Sequence, residues 1–328
     1  MSRTVTEERA AAGSAGAYAA AVLARHEGRA VELGSALADS IHDPSAFATN
    51  LASAFRELAD PEYRDGQQWV APGIGPTHGV RTPLQVGLRR AFEKASRGAS
   101  PSELLQVCDR LLREPEREAR WFAISTLQRT LKSDPERTWQ LLRRAAAEAD
   151  DWITVDDLAH PYGKGILAEP YRWAELETLT VSPSRWERRL VGSTIATIPY
   201  LNRSLGRAPD VPAHGLPLLA TLIGDAEPDV QKALSWAYRS MAIVDPAATA
   251  AALEREATIA AERDDGHRAW VIRDGVSKLK PEVASRIKER LAGLRRRATA
   301  PATSAASELA SRFADMGLGR RMPEPPLT

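Results

Sequence analysis

The stretch Ser100-Pro101-Ser102-Glu103-Leu104-Leu105-Gln106-Val107-Cys108-Asp109-Arg110-Leu111-Leu112 decides the fold. Leu104, Leu105, Cys108, Leu111 and Leu112 recur at helical spacing, which places them on one face of an α-helix. A serine ahead of a proline supplies the start. Its hydroxyl satisfies an orphan backbone N–H, and proline at the first helical position forfeits no hydrogen bond. The same punctuation returns at Asp43-Pro44, Asp60-Pro61, Asp134-Pro135, Ser182-Pro183 and Asp245-Pro246. Weaker forms stand at Glu114-Pro115, Glu227-Pro228 and Lys280-Pro281. Trp121, Ile124, Leu127, Gln128 and Leu131 come close to a second stripe.

Alanine, leucine, arginine and glutamate dominate, aromatic residues are only 6%, and period-2 runs of β-branched residues are missing. The reading is an all-α chain. Helices of about four turns between short stops predict a curved α-solenoid of degenerate, HEAT-like helical repeats. No clean repeat is visible in the sequence, and an ordinary helical bundle would be punctuated in a similar way. Residues 66–80, with Gly66, Gly73, Gly75 and Gly79 around Pro72 and Pro76, read as a loop. The expected organisation is a helical N-terminal extension over 1–40, a HEAT-like repeat domain over 41–297, and a disordered, basic Ala/Pro/Ser-rich tail over 298–328.

Composition bounds the function. The 328 residues carry 44 Lys plus Arg against 43 Asp plus Glu, so the chain is not a uniformly basic nucleic-acid coat. The excess is local: residues 281–328 hold nine basic and five acidic side chains, including Arg295-Arg296-Arg297. One cysteine, Cys108, excludes a disulfide framework and a Cys-rich zinc site, and its place in an apolar stripe marks it as a buried structural thiol. The longest apolar run near the start, Ala17 to Ala24, is far too short to span a bilayer. Glu7 and Glu8 beside Arg3 and Arg9 spoil the positive region of a signal peptide, so a cytoplasmic protein is expected.

Several chemistries have no motif. No two of the six histidines stand in zincin spacing. The sequence Gly73-Ile74-Gly75-Pro76-Thr77-His78-Gly79 lacks the Gly-Lys-Ser/Thr of a phosphate loop, and there is no G-x-S-x-G elbow. No metal, cofactor or nucleotide is expected.

Three segments set tryptophan beside charge. Trp152 and Asp156 are helical neighbours at i, i+4. Trp186, Arg188 and Arg189 open the helix after Ser182-Pro183. The third runs Gln231-Lys232-Ala233-Leu234-Ser235-Trp236-Ala237-Tyr238-Arg239. Taken singly, each has an ordinary explanation. A tryptophan is usually core or rim, an aspartate near a helix start suits the dipole, and a pair of arginines is usually a solvated face.

Together the motifs W-x-x-x-D, W-x-x-R and Q-K-A-[IL]-x-W-x-x-R resemble the AlkD-type DNA alkylation-repair glycosylases. The resemblance runs from Gly79-Val80-Arg81-Thr82-Pro83 to the helix around Trp270. It implies a HEAT-like repeat fold and excision of positively charged N3- and N7-alkylpurines, such as 3-methyladenine and 7-methylguanine, from duplex DNA. Asp156 becomes the catalytic carboxylate, Trp152 and Trp236 the aromatic pair flanking the sugar, and Arg189 the active-site arginine on the DNA backbone. Arg239 is a second backbone contact, with Lys232 and Arg188 beside it. The family's N-terminal aromatic has a candidate in Tyr63, in a register blurred by the 66–80 loop. The resemblance also implies recognition without pocketing a flipped base. The expected partner is alkylated double-stranded DNA, bound by a monomer. A noncatalytic HEAT-like DNA binder and a protein–protein scaffold are the competing readings.

Overall fold

A computed structural model of the chain describes residues 14–71, 73–201, 208 and 210–315. The described residues are all-helical, with sixteen α-helices, short 3-10 turns, and one isolated bridge between Ala59 and Val80. None of these helices is long and apolar enough to cross a membrane. The chain divides into two compact units, residues 1–145 with 150–157, and residues 146–149 with 158–328.

The first unit holds α1 (Ala15–Ala36), α2 (Pro44–Glu57), α3 (Pro61–Val70), α4 (Thr82–Ala95), α5 (Pro101–Leu111), α6 (Arg117–Thr130) and most of α7 (Pro135–Glu148). The Asp43, Asp60 and Ser100 side chains cap the helices that begin at the following proline, and Ser100 with Glu103 completes a capping box. Phe47, Phe92 and Phe122, from α2, α4 and α6, form a fully buried cluster with centroids 5.3–5.9 Å apart. Each such ring contributes about 1.5–3 kcal/mol by leaving water. Cys108 lies fully buried in its stripe, and that burial pushes its thiol well above the ordinary range.

α8 (Trp152–Ala168) begins in the first unit and continues in the second. The second unit adds α9 (Trp173–Thr178), α10 (Arg185–Leu201), α11 (Val211–Leu222), α12 (Pro228–Val244), α13 (Pro246–Arg263), α14 (Gly266–Gly275), α15 (Pro281–Arg290) and α16 (Ala305–Asp315). α10, α12 and α14 pack in succession as one layer, while α11, α13 and α15 form a second layer behind them. This is the packing of HEAT-like repeats. Gly192 lets α10 lie close against α12, since a Cβ there would stand 2.9 Å from the Ala233 carbonyl carbon.

Three local expectations shift. Gly66 belongs to α3, so the loop is confined to the residues after Val70. Pro183 and Pro115 lie ahead of their helices; Ser184 caps α10 through the Trp186 amide, 3.3 Å away. Residues 298–315, expected in a disordered tail, are ordered: Ser304 is buried and α16 follows it. Side chains of α14 hold Ala300 and Thr303, and α16 packs against α11, pairings that composition does not register. The rest of that tail and residues 1–13 lie outside the described residues.

Candidate DNA-repair site

Asp151 organises the start of α8. Its carboxylate accepts from the Ile153 amide at 2.8 Å and the Thr154 amide at 2.9 Å, as a helix cap should. With the start fixed, Trp152 and Asp156 share one face, and both are half-buried. Arg120 stands behind the turn, 3.3 Å from Asp150 and 3.9 Å from Asp151.

Trp152 lines a pocket of about 460 Å³ in the first unit. Tyr63, Gln67 and Arg81 line it with Trp152, so the structure brings the candidate N-terminal aromatic and Trp152 together. Arg81 is held from three sides. It pairs with the buried Asp60 carboxylate at 2.6 Å, and its guanidinium stacks over Tyr63 at 5.2 Å and Tyr18 at 5.7 Å. The loop that delivers Arg81 is pinned by Glu118 of α6. That buried carboxylate accepts from the Thr77 hydroxyl at 2.6 Å, the His78 amide at 3.1 Å and the Gly79 amide at 2.9 Å. Burial alone would raise the Glu118 pKa, but the Thr77 hydroxyl, Arg117 and the amides outweigh it and hold the group below the ordinary range. The Arg81–Asp60 and Glu118–Thr77 pairings carry no signal in the sequence, because the partners are 21 to 41 residues apart.

Asp157 follows Asp156 on α8. Loss of solvation pushes its pKa up to about 7; Arg117 opposes this, while the charges of Asp151 and Asp156 add to it. The segment's run of carboxylates is legible in the sequence, but the raised pKa of Asp157 is not.

The remaining sequence-predicted residues lie in the second unit. Arg189 of α10 is buried, and its Nη1 donates to the Asp229 carbonyl of α12 at 2.7 Å. Arg188 is engaged within the protein: it pairs with buried Asp225 at 2.7 Å and donates to the carbonyls of Ser182 at 2.8 Å and Pro183 at 3.1 Å. Lys232, Trp236 and Arg239 follow one another at i, i+4 and i+7 on one face of α12. The opposite face, with Val230, Leu234, Ala237 and Met241, is core. Lys232 is exposed and only loosely paired with Asp229 at 3.8 Å, Trp236 is half-buried, and Arg239 pairs with Asp274 of α14. Among the described residues, no group of three or more His, Cys, Asp or Glu side chains could hold a metal ion.

The sequence profile of the DNA alkylation repair enzyme family matches residues 51–279. The chain belongs to that family. A solved structure described as a "Predicted DNA alkylation repair enzyme from Enterococcus faecalis" is 15% identical, with a TM-score of 0.50. The match covers 72% of this chain and 97% of that one, and at such low identity it bears on the fold alone. No curated protein sequence matches the chain. As a DNA alkylation repair enzyme family member, the chain carries both Trp-Asp and Lys-x-x-x-Trp-x-x-Arg faces inside the matched span.

Proposed function

We propose that this protein is a DNA N-glycosylase that excises positively charged N3- and N7-alkylated purines from duplex DNA. The observation that carries the reading is the Trp152–Asp156 face on a capped helix, within the span matched by a DNA-repair family. An alkylated purine of this kind already bears a positive charge, so it leaves without prior protonation. As the glycosidic bond breaks, its electron pair passes to the purine and cancels that charge. The deoxyribose then carries an oxocarbenium cation. The Asp156 carboxylate stabilises this cation and orients the water that adds to C1′, giving free base and an abasic site.

The Trp152 ring offers its face to the cationic nucleotide, an attraction of about 0.5–2 kcal/mol in a partly desolvated site. In the second unit, Trp236 is assigned a DNA-facing aromatic role, and Arg189, Arg239 and Lys232 bind backbone phosphates. Arg188 is the weakest of the proposed DNA contacts, because its guanidinium already serves Asp225 and two carbonyls. No cofactor enters the scheme, and the protein acts as a cytoplasmic monomer.

The test is release of 7-methylguanine and 3-methyladenine from methylated duplex DNA. Wild type should release them; Asp156→Asn should not, while keeping its affinity for the duplex. Release by Asp156→Asn at the wild-type rate would remove Asp156 from the mechanism.

A further inference from the structure

After α15 the chain turns back as a fixed arm over residues 291–304, beyond the matched span. The Arg273 guanidinium donates to the carbonyls of Leu291 and Leu294, both at 2.6 Å, and fixes the turn. Arg296 then reaches α12 and α14 together: its Nη1 donates to Gln231 Oε1 at 2.8 Å, and its guanidinium lies over the Trp270 ring at 5.3 Å. Gln231 Nε2 faces His267 Nδ1 at 3.0 Å, and His267 Nε2 faces the Ala300 carbonyl at 3.0 Å. One neutral tautomer satisfies both contacts, with Nδ1 accepting and Nε2–H donating. Thr303 closes the arm, its amide donating to the Gly224 carbonyl at 2.8 Å and its hydroxyl to Asp265. The backbone of the arm lies so close that a Cβ at Gly266 would overlap the Arg295 carbonyl.

This anchoring leaves two cations over. Arg295 and Arg297 are exposed, and neither guanidinium has a partner among the described residues. They flank Arg296, whose guanidinium is held by Gln231 and Trp270. Arg296 is bonded to Gln231, the immediate neighbour of Lys232 in the family-like motif. A solvated charge run needs no such register. Arginine forks match phosphate oxygens, and the arm exposes no large hydrophobic side chain among the described residues, which argues against a lipid surface.

We propose that Arg295 and Arg297 form a basic clasp for the phosphate backbone of duplex DNA, held in register by Arg296, Gln231 and His267. The clasp lies beyond the matched residues and rests on the glycosylase reading for its partner. It fixes the protein on DNA and takes no part in the bond cleavage.

The experiment compares wild type, Arg295→Gln/Arg297→Gln and Arg295→Lys/Arg297→Lys as full chains binding an unmodified duplex across a series of salt concentrations. Removing one cation from a phosphate lowers the slope of log affinity against log salt by about 0.9. The Gln pair should lower the slope by about 2 and weaken binding roughly tenfold or more at low salt, with the thermal midpoint unchanged. The Lys pair should keep most of the slope. Single-turnover base release at saturating protein should match wild type in both. A Gln-pair slope equal to that of a wild type that does bind would overturn the clasp and leave the glycosylase reading intact. A wild type without salt-sensitive duplex binding would overturn both. Loss of affinity for anionic vesicles but not for the duplex would also overturn the clasp.

Discussion

Replacing Asp157 with asparagine should stabilise the protein at alkaline pH and leave it nearly unchanged in acid. In the folded chain, loss of solvation raises this carboxyl from 3.8 to about 7, against Arg117 and with help from Asp151 and Asp156. The unfolded chain releases the same proton near 3.8. Between those values the folded state binds a proton that the unfolded state has lost, so stability falls as pH rises through the window. The loss is complete above the folded value. At about 1.4 kcal/mol per pKa unit the interval amounts to about 4 kcal/mol, of which about 3 kcal/mol falls between about pH 5 and pH 8. The side chain keeps some contact with solvent, which makes these upper values. Urea denaturation of both proteins at the two pH values is the assay. Wild type should lose about 2–3 kcal/mol more than the variant across that range. Titrations of groups that do not interact with Asp157 are common to both and cancel. Identical pH dependence in the two proteins would refute the reasoning.

Glu118→Gln should destabilise the first unit by about 1–3 kcal/mol, because an amide cannot accept at every donor the carboxylate now serves. Since Glu118 is held below its ordinary pKa, its stabilising effect is present above the unfolded value of 4.5 and is lost as pH falls through the folded one. Denaturation at pH 7 should therefore separate the variant from wild type, and denaturation in strong acid should not. Gly192→Ala should cost about 1–3 kcal/mol by forcing α10 off the Ala233–Leu234 backbone. An unchanged urea midpoint would show that the two helices can part freely.

The family-like residues are legible in the sequence for a physical reason. Trp152 and Asp156 are four apart on one helix, as are Lys232 and Trp236, and local spacing fixes which side chains share a face. Burial is not local. Arg188 and Arg189 are neighbours at a helix start, yet one is tied to Asp225 and the other is buried against Asp229. Nothing in Arg185-Trp186-Glu187-Arg188-Arg189 distinguishes them, because their partners lie about 40 residues on. Helical spacing turns Asp157 away from Asp156; its raised pKa comes from burial, which helical spacing does not specify, with Arg117 of α6 opposing it.

The sequence by itself determined the helices. A proline with a capping neighbour ends one hydrogen-bond ladder and starts the next, and apolar residues at 3.6-residue period name the face to be buried. Asp43, Asp60, Ser100 and Asp245 cap as their sequence suggests. Only the tertiary structure decided how residues 291–304 lie as an arm along α12 and α14, the last seven of them read from composition as tail. Arg273, Gln231 and His267 each contribute one or two hydrogen bonds, and these register the arm only when α12 and α14 already hold them side by side. Composition measures the entropy such a segment would keep if free. It carries no record of the fixed donors and acceptors, distant in sequence, that offset that entropy in the folded chain.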